Sequence, residues 1–268
     1  TETAPGSFVG TTKHWIKRDG IGDQYYWFFF RATGVADQQL TVRLENLKGI
    51  YRGNPHIVYS DYTQPVYSYD RKSWRRIADV SYDTAAHTFT FSQRYDQDDV
   101  WIAYAHPYTN ARKSSFIQVA KRNAHVTVES IARSPEGRDI ELLTITDREV
   151  PADEKKTVLL IAMQHAGEDA GGFMIEGLVE FLLSDEAEAQ EARKNFIYCV
   201  VPIMNPDGIS MGTSRYNANM EDLNNIWLSD TLAQPEVTGM KTWAESWMES
   251  GSNIDLFIDV HNNTQYNR

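Results

Sequence analysis

The sequence predicts an α/β domain with a mixed, mostly parallel sheet, preceded by an antiparallel β-sandwich. Three observations carry this. From about residue 7 to 110 the apolar residues come in short, aromatic and β-branched runs separated by turn residues, with no helical spacing between them. After about residue 113, unbroken apolar runs alternate with segments whose apolar residues recur every three or four positions. A length of 268 residues also accommodates two domains, each able to bury a core. The division is placed at 1–112 for the sandwich and 113–268 for the α/β domain.

In the first part, the runs at 25–31 (Tyr25 to Arg31), 40–44, 57–59, 87–91 and 100–104 read as strands. The second and fourth alternate apolar with polar, so one face of each is wet. Gly34, Gly49-Ile50, Gly53-Asn54-Pro55, Asp83-Thr84 and 96–99 read as turns. Closely spaced strands without intervening helices suit a sandwich.

In the second part, 126–131 and 140–146 read as a hairpin around Ser134-Pro135-Glu136-Gly137. The run 157–163 has the continuous apolar character of a strand buried on both faces. Ile175, Leu178, Val179 and Leu182 then mark an amphipathic helix, and 196–203 a second buried strand. Pro235 opens a further helix with Met240, Trp243, Ala244 and Trp247 on one face and Gly251 beyond its end, and 254–260 is a third apolar strand. Strand, helix, strand, helix, strand is the order of an α/β domain.

Composition closes off several classes of function. A hydrophobic share of 41% without low-complexity tracts belongs to a folded chain, not a disordered one. A net charge of -11 is the wrong sign for a nucleic acid partner. The one cysteine, Cys199, sits in an apolar run, so no intrachain disulfide forms and a buried small hydrophobe is predicted. No apolar stretch approaches the roughly 20 residues of a membrane span. The chain opens Thr1-Glu2-Thr3 without Met, which implies an upstream segment that was removed.

In open α/β sheets, ligands bind beyond the carboxyl ends of the strands. The three apolar runs of the second part end in Gln164-His165-Ala166-Gly167-Glu168, in Asn205-Pro206-Asp207-Gly208 and in His261-Asn262-Asn263-Thr264. His165 and Glu168, three apart in a strand-to-helix turn, can share one ion, and His261 supplies a third ligand. Two His and one Glu with an open fourth position is the pattern of a catalytic zinc. Each residue alone also reads as a polar group capping a strand end; convergence of the three ends favours the metal.

Asn205-Pro206-Asp207-Gly208, then Gly212-Thr213-Ser214-Arg215, Asp222-Leu223-Asn224-Asn225 and Asp259-Val260-His261, resemble the M14 zinc carboxypeptidases, most closely their cytosolic carboxypeptidase branch. That branch shows H-P-G-E, N-P-D-G, G-x-x-R, G-x-D-L-N-R and a final D-[LIV]-H. The likeness extends to Gly137-Arg138 and 142–146, and to a small N-terminal β-domain at 26–31, Asn46-Leu47 and 103–109. It implies zinc held by His165, Glu168 and His261. It also implies Arg215 as the catalytic, substrate-contacting cation that stabilises the oxyanion, Asn224 on the substrate's terminal carboxylate, and Asp222 holding His165 in its tautomer. Asp207 and Gly208 are read as turn-formers.

The departures are specific. Ala166 replaces a proline, and Met220 stands where the family has glycine, altering a close or positive-φ backbone position. Asn225 replaces the arginine that pairs with the substrate's C-terminal carboxylate, leaving a neutral contact in place of a bidentate fork. The family's general-base glutamate lies well downstream of the last zinc histidine, and Arg268 comes seven residues after His261. The resemblance therefore implies a chain cut short, a base supplied in trans, or a protein that binds metal without cleaving.

Three functions are weighed. The leading one is a zinc metallocarboxypeptidase acting on a peptide or protein C-terminus, with acidic terminal residues preferred by resemblance to the branch. Lys13, Lys17, Arg18, Arg71, Lys72, Arg75 and Arg76 are candidates for a local basic patch. The alternatives are a zinc amidohydrolase or deacylase on the same scaffold, and a non-catalytic binding module with a vestigial zinc site. Resemblance favours the cytoplasm; the periplasm or secretion stays open, as does the oligomeric state.

Overall fold

The computed structural model describes residues 2–262 except 5, 12, 14, 18, 19, 21, 52, 230 and 232. The chain divides into two units, one holding the chain to Pro107 with Gly212–Ser214, the other Tyr108–Met211 and Arg215–Asn262. No helix among the described residues is long and apolar enough to cross a membrane.

The first unit contains β1 (Glu2–Ala4), β2 (Ser7–Thr11), β3 (Trp15–Ile16), β4 (Asp23–Gln24), β5 (Phe29–Thr33), β6 (Gln39–Glu45), β7 (Gly49–Tyr51), β8 (Asn54–His56), β9 (Val66–Ser68), β10 (Arg75–Arg76), β11 (Asp79–Asp83), β12 (Thr88–Arg94) and β13 (Asp99–Ala103). Two sheets, in orders β1-β2-β6-β12-β11 and β10-β9-β13-β5, share one core. All neighbouring pairs are antiparallel except β2 with β6. The predicted alternation is what closes the core: Leu40, Val42 and Leu44 of β6 and Phe89 and Phe91 of β12 are buried, with Val100 and Ile102 of β13 against them. Buried tyrosines satisfy their hydroxyls on backbone, Tyr25 donating to the His56 carbonyl and Tyr59 to that of Tyr26, both at 2.5 Å.

Two strand readings and one turn reading in this unit are corrected. Residues 25–28 precede β5 as irregular chain, because their aromatic rings enter the core without ladder pairing. Residues 57–59 form no strand: Val58 and Tyr59 are buried by packing alone. Gly49 lies in β7, not in a turn, and a Cβ there would stand 2.5 Å from the Tyr25 ring, so the glycine serves close approach.

The second unit runs α1 (Asn110–Ala120), β14 (Val126–Arg133), β15 (Asp139–Ile145), β16 (Lys156–Ala162), α2 (Asp169–Leu182), α3 (Ala187–Asn195), β17 (Phe196–Val201), α4 (Pro206–Met211), α5 (Pro235–Glu249) and β18 (Leu256–Val260). Its mixed sheet has the order β14-β15-β17-β16-β18. β16 is parallel to both neighbours, while β15 is antiparallel to β14 and β17. Helix α2 buries Ile175, Val179 and Leu182 in the core on one side of the sheet, and α5 sends Met240 into the core on the other. Cys199 is free and buried, as predicted, and burial pushes its thiol up to about 12. The third apolar run forms β18, last in the sheet order: among the described residues it pairs only with β16, and Leu256, Phe257 and Ile258 are exposed.

Candidate metal centre

Parallel β16 and β18 end at the same level, with Ala162 opposite Val260. Their following residues therefore emerge side by side. Beyond Ala162 the chain turns through Met163 at φ 54, a left-handed conformation that a side-chain-bearing residue rarely adopts. The turn is closed by Glu168 N donating to the His165 carbonyl at 3.2 Å, and α2 starts at the next residue. His165 and Glu168 are thus fixed on a buried turn, 3% and 7% exposed.

The carboxylate of Glu168 bridges the two imidazoles. Its Oε1 lies 2.8 Å from His165 Nδ1 and its Oε2 2.8 Å from His261 Nδ1; Oε2 also accepts from Asn262 N at 3.0 Å. One ligand atom from each of these three residues falls within 4.8 Å of the others. Each histidine is held from behind by a second carboxylate: His165 Nε2 is 3.1 Å from Asp222 Oδ1, and His261 Nε2 is 2.8 Å from Asp259 Oδ2. An acceptor at Nε2 keeps the proton there and leaves the Nδ1 lone pair for a metal, and such carboxylate–histidine pairs accompany most metal-ligating histidines. The donor set, two imidazoles and a carboxylate, suits zinc.

The electrostatics follow from packing. Burial raises the Glu168 carboxyl, but the bonds from His165 and His261 outweigh it and hold it down at about 2. Asp222 is raised by burial and lowered further by His165 and Arg215, ending well below the usual carboxylate range. His261, bonded to Asp259 and then to Glu168, is raised to about 10.

Asp222 is the hub of the remaining predicted residues. Its Oδ2 accepts from Arg215 Nε at 2.7 Å and from Asn225 Nδ2 at 2.6 Å, and its Oδ1 accepts from the Asn224 backbone N–H at 3.2 Å. His165, Glu168, His261, Asp222, Arg215 and Asn225 are therefore joined in one network. Asn224 is attached through its backbone, with its side chain exposed. Met220, at the family's glycine position, does take the left-handed conformation, φ 58. Arg71 stacks over the Trp101 ring at 4.9 Å in the first unit; Arg18, Asn263, Thr264 and Arg268 lie outside the described residues.

Asp207 corrects a reading. Instead of forming a turn with Gly208, it opens α4 fully buried, accepting from Ser134 Oγ and Arg138 Nη1 at 2.7 Å and from Glu136 N at 2.8 Å. It ties the hairpin turn at 134–138 to the end of β17, a role for which three donors rather than local turn chemistry select an aspartate. The residues that sequence reasoning left without a role are Asp259 and Gln164, whose Nε2 donates to Asp259 Oδ2 at 2.6 Å. Asp259 had a signal: two positions before His261 in a strand, it shares that residue's face.

Comparison with known proteins agrees with this geometry. Residues 114–267 match the family described as zinc carboxypeptidase, and residues 7–105 match the cytosolic carboxypeptidase N-terminal domain. Cytosolic carboxypeptidase 6 of Mus musculus is 28% identical over 255 residues, covering 88% of this chain and 46% of the relative. Among solved structures, a metallo-carboxypeptidase from Burkholderia cenocepacia aligns with TM-score 0.82 at 26% identity, over 99% of this chain and 67% of that one. A metallo-carboxypeptidase from Pseudomonas aeruginosa, in complex with (2-guanidinoethylmercapto)succinic acid, aligns with TM-score 0.81 at 28% identity, over 99% of this chain and 66% of that one. The chain thus spans about half the length of the first of these relatives and about two-thirds of each solved structure.

Proposed function

The chain belongs to the zinc carboxypeptidase family, and from that premise we propose that it hydrolyses the C-terminal peptide bond of a peptide or protein, with acidic terminal residues preferred. The observation that supports this best is the pair of imidazoles whose Nδ1 atoms face one carboxylate while their Nε2 atoms are held by Asp222 and Asp259. His165, Glu168 and His261 would hold the zinc. Bound there, zinc acidifies a water and polarises the scissile carbonyl.

The protein's own groups do the rest. Asp222 and Asp259 accept at Nε2 of the two imidazoles, which turns each Nδ1 toward the metal position and fixes the ring planes. Arg215, anchored through Nε to the same Asp222, is the cation for the developing oxyanion, so one carboxylate sets both a ligand and the oxyanion partner. Asn224 and Asn225 receive the substrate's terminal carboxylate. Asn225 is already donating to Asp222, so its share in that contact is that of a neutral amide in competition. No general base is assigned among these residues. Kinship with cytosolic carboxypeptidases supports a cytoplasmic location.

Metal analysis and peptide hydrolysis test the proposal together. Stoichiometric zinc and release of C-terminal glutamate from free-acid peptides, lost in Arg215→Ala, are expected. A zinc-loaded protein that leaves every free C-terminus intact and cleaves N-acyl amino acids would overturn it in favour of a deacylase. Protein that takes up no zinc would point to the binding-module reading.

A further inference from the structure

The second unit buries another carboxylate, away from the metal cluster and without an ionic partner among the described residues. Glu236 follows Pro235 at the start of α5 and is 0% exposed. Its Oε1 accepts from Asn217 Nδ2 at 3.1 Å, while its Oε2, also buried, has no hydrogen-bond partner among the described residues. Such a group is disfavoured energetically, so its position calls for a reason.

The reason lies in what Asn217 does. Its Nδ2 donates to Glu236 Oε1 and to Gln234 Oε1, the latter at 3.0 Å. Its Oδ1 accepts from the backbone N–H groups of Asn219 and Glu221, both at 3.0 Å. Both amide protons and both lone pairs are used, which is all an asparagine side chain has. The backbone closes the same turn, Asn217 N donating to the Glu221 carbonyl and Met220 N to the Asn217 carbonyl, each at 3.0 Å. Met220 sits inside the turn in its left-handed conformation, and the residue that follows the turn is Asp222.

An amide can flip, exchanging oxygen for nitrogen. Gln234 can flip with it, since it is itself an amide. Glu236 Oε1 is an acceptor whether the carboxyl is ionised or carries its proton on the unbonded Oε2, so it admits Asn217 in one orientation, the one whose oxygen faces the turn. We propose that Glu236 is a positioning residue for the metal centre: by orienting Asn217 it fixes the turn at 217–221 and thereby sets Asp222 against His165 and Arg215. This rests on the proposed zinc site, and it goes beyond it by assigning control of that site to a residue with no contact to any ligand.

The test is zinc affinity of the 268-residue chain, measured by competition with a chromophoric chelator, beside the melting temperature of the metal-free protein. Glu236→Gln keeps an oxygen toward Asn217 but, as an amide, can flip together with it, and is expected to weaken zinc by less than the roughly tenfold of the next variant. Glu236→Leu removes the acceptor and is expected to weaken zinc about tenfold, the low end for residues outside the ligand set. Its metal-free form is expected to melt no lower than the parent, because a buried carboxylate has been replaced by an apolar group. Asn217→Ala breaks the link one bond nearer to Asp222 and is expected to show the same tenfold loss, which keeps the test decisive should the Leu variant not fold. Parent-like zinc affinity in Glu236→Leu or Asn217→Ala overturns the inference, as does a loss that only tracks a lower melting temperature. A parent protein that binds no zinc overturns the metal-site reading instead.

Discussion

Glu236→Gln should stabilise the protein, and by an amount that depends on pH in a way only this carboxyl explains. Burial pushes its carboxyl up from an ordinary 4.5 to about 7, its own backbone N–H and then the Asn217 bond partly offset this, and the nearby charge of Asp207 adds to it. In the folded protein it therefore holds its proton across a range where the unfolded chain has lost it. Between those two values the native state binds more protons, so stability falls as pH rises and the full penalty is present above the folded value. At about 1.4 kcal/mol per pH unit the penalty is about 3 kcal/mol at pH 8, and under about 1 kcal/mol at pH 5. Glutamine removes the charge and keeps the shape. Urea denaturation at both pH values should give a gain from the substitution that is larger by about 2.5 kcal/mol at pH 8. An equal gain at both, or a loss at pH 8, would refute a buried, mostly uncompensated carboxyl at this position. The comparison across pH cancels whatever constant effect glutamine has on packing.

Other substitutions probe the network and the backbone around it. Asp222→Asn replaces one of the two acceptor oxygens with a donor, which must face either His165 Nε2 or Arg215 Nε, and should weaken zinc by about 10- to 100-fold in a chelator competition; a change under twofold would detach Asp222 from the metal centre. Met220→Gly should raise stability by up to about 1 kcal/mol in urea melts, since the left-handed conformation costs a side-chain-bearing residue about 1–2 kcal/mol and the extra freedom of unfolded glycine returns part of that; a loss would show that the Met220 side chain packs usefully. Gly172→Ala puts a Cβ 2.2 Å from the ring of fully buried Tyr108 and should lower stability by about 1–3 kcal/mol, visible as a reduced denaturation midpoint; a neutral outcome would mean that α2 and Tyr108 separate easily.

What was legible in the sequence divides along a physical line. Strands β16 and β17 could be read because each is a nearly unbroken apolar run, as burial on both faces demands. The helices α1 and α3 could not. In α1 the buried positions are Lys113, Ile117 and Ala120, and the lysine that breaks the apolar stripe is neutralised by Glu141 on β15, a partner 28 residues away. In α3 the buried face is only Ala189 and Arg193, and the arginine is there to donate to the carbonyls of Leu182 and Ser184 at the end of the preceding helix. Periodicity reports apolar faces, so helices that bury a satisfied cation escape it. The same limit hid Glu236: its partner Asn217 lies 19 residues back on a loop, and no spacing rule links them.

The ligands were readable for the opposite reason, since topology alone brings strand ends together and His165, Glu168 and His261 stand at such ends. Their supports obey charge balance more than proximity. Glu168, Asp222 and Asp259 bring three negative charges against the one guanidinium of Arg215, which leaves two in excess when both imidazoles are neutral. Without a metal half of the excess is met by a proton, since His261, between Asp259 and Glu168, is raised to about 10. A divalent ion meets the same excess in full and requires that proton to leave, so the carboxylates that raise His261 are also what favours a doubly charged ion over the proton it displaces. The sequence shows three ligands; the need for Asp222 and Asp259 behind them follows only when the charges are counted in place.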